Sequence, residues 1–244
     1  MPMQLAVSIT EPAVPDRKVW LPIQPLLIHF VGRPRGSSLF GPEPAQVKEL
    51  SVSEKLSNIA INALIRGFQV PGSGSNRVVS ASDISPAELQ WAFKQGLNTR
   101  GTYSPWAVVL DRSVMWQAGM RPVLYVDDTD APKFQDASGA IRGDGWQALM
   151  VRTSLGPQPG RSDWTHEREW RFCYPENVEE PCLDISQGVR AVITGERDWE
   201  PVRPPEVHPA VNLTYNPTYS FNRWYWNGTT LIDAGMVEVR NYDS

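Results

Sequence analysis

Asp163-Trp164-Thr165-His166-Glu167-Arg168-Glu169-Trp170-Arg171 is the stretch on which the fold turns. Apart from Thr165, every residue in it is charged, imidazole or indole. Such a run makes a poor core, because a buried charge needs a partner. It also makes a poor linker, because its two tryptophans favour burial. It lies between a loop containing Gly156 and Gly160 and the apolar Phe172-Cys173-Tyr174. Read as a strand, it places Thr165, Glu167, Glu169 and Arg171 on one face and Trp164, His166, Arg168, Trp170 and Phe172 on the other. Glu167 and Glu169 would then address one ligand from one side, about 7 Å apart. The plainer alternative is ion pairing of these acids with Arg168, Arg171 or other arginines at a sheet edge.

Working outward, the chain has 244 residues, enough for one large or two small domains. Its 22 prolines imply many loops and interrupted elements. A net charge of -4 disfavours broad capture of nucleic acid. Cys173 and Cys182 are the two cysteines, too few for a disulfide framework or a metal knuckle, and they read as reduced thiols. No basic-then-apolar leader opens the chain and no apolar run approaches 18 residues, so the expectation is a soluble cytoplasmic protein without a membrane segment.

The apolar run Leu26 to Val31 reads as a buried strand containing His29. That histidine is either bonded to a backbone carbonyl at the core's edge or a donor to a ligand. Gly32 to Ser38 is a basic loop without phosphate-loop spacing. Ser53 to Ile65 has helical periodicity, with Ser51 or Ser53 as cap and Gly67 as stop. Arg77 to Asp83 predicts a strand with Ser80 and Ser82 on one face, positioned to orient a carboxylate or ribose, or simply to lead into the next helix. That helix starts at Ser85-Pro86 and runs to about Gln95. Ala107 to Leu110 is a third strand, Ser113 to Ala118 a short helix, and Pro122 to Val126 a fourth strand.

Asp127-Asp128-Thr129-Asp130 lacks the glycine and terminal glutamate of a calcium loop and reads as a solvated turn. Trp146 to Arg152 is expected to return to the sheet, and Gly188 to Gly195 forms another apolar strand. Residues 201–209 are proline-rich, and Arg223 to Gly228 alternates polar and aromatic residues before an Asn-Gly turn, a hairpin signal. The fold class expected is α+β: a mixed, largely antiparallel sheet of six or more strands with two or three short helices. Residues 1–200 would form a single domain, and residues 201–244 a C-terminal segment that wraps it and carries the aromatic hairpin.

The ordered series Leu27-Ile28-His29-Phe30, Val78 to Ser82, Tyr103 to Val109, Arg121 to Val126, Trp164 to Arg171 and Val192 to Gly195 resembles uncharacterised bacterial and phage proteins grouped with abortive-infection families. More remotely it resembles the ADP-ribosyltransferase fold, over roughly residues 26–199. That superfamily carries His or Arg on a first strand, a Ser/Tyr element on a second and a Glu on a later one. The resemblance implies NAD as substrate, with His29 holding a ribose and Ser80 or Ser82 bracing the glutamate. Glu169 would accept from the ribose hydroxyl and Glu167 would face an acceptor. Tyr103 and Trp106 would stack on nicotinamide, or else pack at a strand entrance. Two departures stand out: no Thr separates Ser80 from Ser82, and the interval from Ser82 to Glu169 is long.

The function so implied is an ADP-ribosyltransferase or NAD glycohydrolase in phage–host conflict, and it requires His29 and Glu169 to reach one cleft from one side of the sheet. The alternatives are a non-catalytic protein-binding or inhibitor module, which would expose Trp224, Tyr225 and Trp226, and a nucleic-acid enzyme using magnesium on carboxylates.

Overall fold

The structure, a computed structural model, describes residues 6–7, 19–20, 26–31, 50–69, 77–95, 104–127, 130, 149–153, 168–174, 178, 181–202 and 219–239. A short antiparallel pair, β1 (Ala6–Val7) with β2 (Val19–Trp20), precedes the main body. The apolar run then forms β3 (Leu26–Phe30). Helix α1 (Val52–Asn62) begins at a capping box, in which Glu54 N–H donates to Ser51 Oγ and Ser51 N–H to the Glu54 carboxylate. It ends earlier than its periodicity suggests, because Ala63 takes a left-handed conformation (φ 51°). Leu64 and Ile65, expected as helix, instead open β4 (Leu64–Arg66). Strand β5 (Phe68–Gln69) and strand β6 (Arg77–Ser82) follow.

Helix α2 (Pro86–Gln95) has its own box between Ser85 and Glu88. Strand β7 (Ala107–Asp111) is buried along its whole length, as a central strand should be. Its last residue caps α3 (Arg112–Gln117), the Asp111 carboxylate accepting from Ser113 and Val114 N–H. The expected fourth strand is split into β8 (Arg121–Pro122) and β9 (Leu124–Asp127). Between them, Val123 N–H donates to the Glu169 carbonyl. Strand β10 (Met150–Thr153) was expected to rejoin the main sheet, but it pairs in parallel with β9 in a separate two-stranded sheet. The remaining strands are β11 (Glu169–Tyr174), β12 (Cys182–Asp184), β13 (Val189–Thr194), β14 (Tyr219–Trp226) and β15 (Leu231–Val239).

The main sheet has nine strands in the order β15-β14-β13-β7-β3-β6-β11-β8, with β5 paired to β6. Within it β13 and β14 run parallel and the other pairings are antiparallel. The mixed, largely antiparallel α+β class with three helices among the described residues is therefore as read from the sequence. The aromatic hairpin extends this sheet: β14 aligns Asn222 to Tyr225 with Ala191 to Thr194 of β13.

Strand alternation divides the core into two layers. Leu27, Val79, Ala81, Val108, Leu110 and Trp170 pack with Leu56 and Ala60 of α1 and Met115 of α3. Ile28, Val109, Ala191 and Ile193 pack on the opposite face with Leu89 and Phe93 of α2 and with Trp224 and Trp226. No helix among the described residues is long and apolar enough to cross a membrane.

Candidate functional site

The organising stretch is described from Arg168 onward, and Glu167 and Tyr103 lie outside the described residues. Strand β11 starts at Glu169, so its side chains alternate from there. Trp170 and Phe172 belong to the α1/α3 layer, and Glu169 and Arg171 therefore face the α2 side. Arg168, just before the strand, has φ 42°, a region that non-glycine residues rarely occupy. It is held by bonds on both sides, its carbonyl accepting from Asp83 N–H and its guanidinium donating to Glu88 at 2.5 Å.

In the register of β6 with β11, Ser82 stands opposite Glu169 and Ser80 opposite Arg171. These four side chains share one face. Ser82 and Arg171 are buried. The Ser80 hydroxyl is buried and has no hydrogen-bond partner. Arg171 grips Glu169 with two parallel bonds, Nε to Oε1 at 2.8 Å and Nη2 to Oε2 at 2.9 Å. The ion-pair alternative weighed for this acid is thus realised, but inside the protein: the side chains are only 6% and 12% exposed. The Glu169 backbone is fixed as well. Its N–H donates to the Tyr125 hydroxyl at 2.8 Å, and its carbonyl accepts from Val123 N–H.

His29 lies on β3, one strand beyond the serines. Leu27 and Val31 flank it in alternation and belong to the α1/α3 layer, so its side chain starts on the face opposite Glu169. Between β3 and β6 there is a single bridge, Ile28 to Ser82. Past it the two strands no longer pair, and the His29 ring closes this fork by bonding through Nδ1 to the Ser80 carbonyl at 2.7 Å. The carbonyl can only accept, so Nδ1 carries the hydrogen and Nε2 is the ring's acceptor in the neutral form. Burial holds the imidazole below its ordinary pKa, and the Ser80 bond opposes that shift. His29 is thus the carbonyl-bonded, core-edge histidine of the plainer alternative.

Trp106 is not part of this group. It packs edge-on to Trp199, ring centres 6.3 Å apart, in the α1/α3 layer. Its strand is three spacings from β11, about 14 Å. Its strand-entrance role is the observed one. Trp170 is held from the α3 side by Trp116, 5.8 Å away, and by the Arg112 guanidinium at 5.7 Å.

Cys173 cannot serve as a thiolate near neutral pH, since burial pushes its thiol up to about 11, with Arg171 pulling down and Glu169 pushing up. Among the described residues no group of three His, Cys, Asp or Glu side chains could hold a metal ion. Sequence reasoning missed Tyr125, whose contact with Glu169 spans 44 positions and leaves no local signal.

Comparison with family models, with curated proteins and with solved structures found no match.

Proposed function

We propose that this chain acts on NAD, as an ADP-ribosyltransferase or NAD glycohydrolase, with phage–host conflict as the setting its abortive-infection resemblance implies. One observation carries the reading: Ser82 of β6 stands directly opposite Glu169 of the neighbouring β11, on one face of the sheet. That pairing supports the bracing of the acid which the resemblance implies, whereas the convergence of His29 with Glu169 from one side of the sheet is not met.

The chemistry is cleavage of the bond between ribose C1′ and the nicotinamide nitrogen. The bonding pair leaves with the nicotinamide, whose ring becomes neutral, and positive charge develops on the ribosyl carbon. Water or another nucleophile then bonds to C1′ and loses a proton. Glu169 stabilises that charge by accepting from a ribose hydroxyl, in a place where water is scarce. Ser82 stands beside it as a hydroxyl that can donate to the carboxylate or to the ligand. His29 alternates to the opposite face, bonded to the Ser80 carbonyl, and takes no part in this step.

A second reading, a non-catalytic binding module on the same scaffold, is favoured by a specific observation. Arg171 occupies both oxygens of Glu169, and His29 alternates to the opposite face. Its other expected support is absent, because Trp224 and Trp226 are buried beneath α2 rather than exposed.

Calorimetric titration with NAD and with ADP-ribose separates the two. The NAD reading predicts saturable binding of NAD that weakens in Ser82→Ala, whose Cβ-only side chain leaves the fold intact. Absence of binding by the folded wild type gives the second reading.

A further inference from the structure

We propose that Arg171 is the positioning residue for Glu169, setting the carboxylate's rotation and charge for its ribose contact; this rests on the reading of Glu169 given above. Two parallel N–H donors fix a carboxylate plane as a single ammonium cannot. An ionised carboxylate has about four lone-pair sites, so a bidentate arginine leaves a second acceptor site on each oxygen. Glu169 can therefore remain bonded to Arg171 while it accepts from a ligand hydroxyl.

The setting favours positioning over a surface ion pair. Both partners are nearly excluded from water, at 6% and 12% exposure, so removing the guanidinium would leave a buried carboxylate unpaired. The main chain of Glu169 is clamped on both sides by Tyr125 and Val123. With the backbone fixed by those bonds and the carboxylate fixed by Arg171, the acid has one orientation. Ser80 stands across from Arg171 with its hydroxyl buried and unbonded. A polar atom left unpaired on the same face, across from the arginine that holds the acid, is suited to a ligand hydroxyl, since an unmade buried bond otherwise costs stability.

The test measures nicotinamide release from NAD by the full chain, as wild type, R171K, R171A and E169Q. R171K keeps the charge and loses the fork; it is expected to fold, to keep KM for NAD within about threefold and to lose kcat by about 100-fold, the scale of a misplaced catalytic group. R171A is expected to lose kcat at least as far and to regain part of it when guanidinium ion is supplied at concentrations below those that unfold it. A merely structural arginine would lower the melting temperature without that selective loss and rescue. Wild-type kcat in R171K, beside an inactive E169Q, overturns this inference while leaving the NAD reading standing. No nicotinamide release by folded wild type, with no NAD binding, overturns both.

Discussion

At the scale of single residues, burial sets what the ionisable groups of the site contribute. His29 is the clearest case, since its ring is buried and bonded to the Ser80 carbonyl. Its folded-state pKa lies below 6.5 because burial penalises the charged form. An unfolded imidazole takes up its proton near pH 6.5, the buried one only at lower pH. The unfolded chain therefore binds more protons in that interval, and stability falls as pH drops from about 6.5 toward the folded value. His29→Gln removes this contribution. Thermal melts at about pH 7.5 and about pH 5.5 should show wild type losing more stability on acidification than the variant; equal losses would mean that the ring is not buried as described. Arg168 shows the reverse: its pair with Glu88 is about half exposed and contributes little. Its left-handed backbone turns the chain into β11.

At the scale of elements, the caps decide where helices begin. Asp111 ends β7 and starts α3, accepting from Ser113 and Val114 N–H and from the Arg190 guanidinium. Burial works against its charge, but those bonds outweigh it and hold the carboxyl below its ordinary range. Asp111→Ala should destabilise the protein by about 1–2 kcal/mol through the lost cap. Denaturant unfolding would measure it, and a wild-type midpoint would contradict the assignment.

The helix starts were legible for a local reason, with Ser51 one of two candidate caps and Ser85-Pro86 opening the next helix; Glu54 and Glu88, each three residues on, close the boxes. The end of α1 was not, because Ala63 turns left-handed without the glycine that usually marks such a stop. The split between β8 and β9 was equally hidden, since it depends on Val123 bonding to Glu169, 46 positions away. Of the site, the shared face of Ser80 and Ser82 followed from strand period alone. Arg171 was one of several arginines within reach of Glu169, and spacing could not choose among them.

At the scale of the whole molecule, the C-terminal strands belong to the core. Phe221, Val237 and Val239 lie in the α1/α3 layer, whereas Trp224, Trp226 and Leu231 lie in the α2 layer. The Tyr219 hydroxyl donates to the Ala60 carbonyl, tying β14 to α1. A chain ending at residue 202 would expose β13 as an edge and open both layers. It should be insoluble or melt without cooperativity; a soluble fragment with the wild-type melting temperature would contradict this. No sequence signal predicts the parallel pairing of β13 with β14, because it joins segments separated by a long connection.

The same long-range assembly sets Ser82 opposite Glu169, and the NAD reading rests on that pairing. Its most direct test is nicotinamide release from NAD by the purified protein, wild type beside Glu169→Gln. Measurable release by wild type is expected, and its loss in the variant, which should stay folded at the assay temperature but melt lower because Arg171 loses its buried carboxylate partner. Equal release by both, or none by folded wild type, would contradict it.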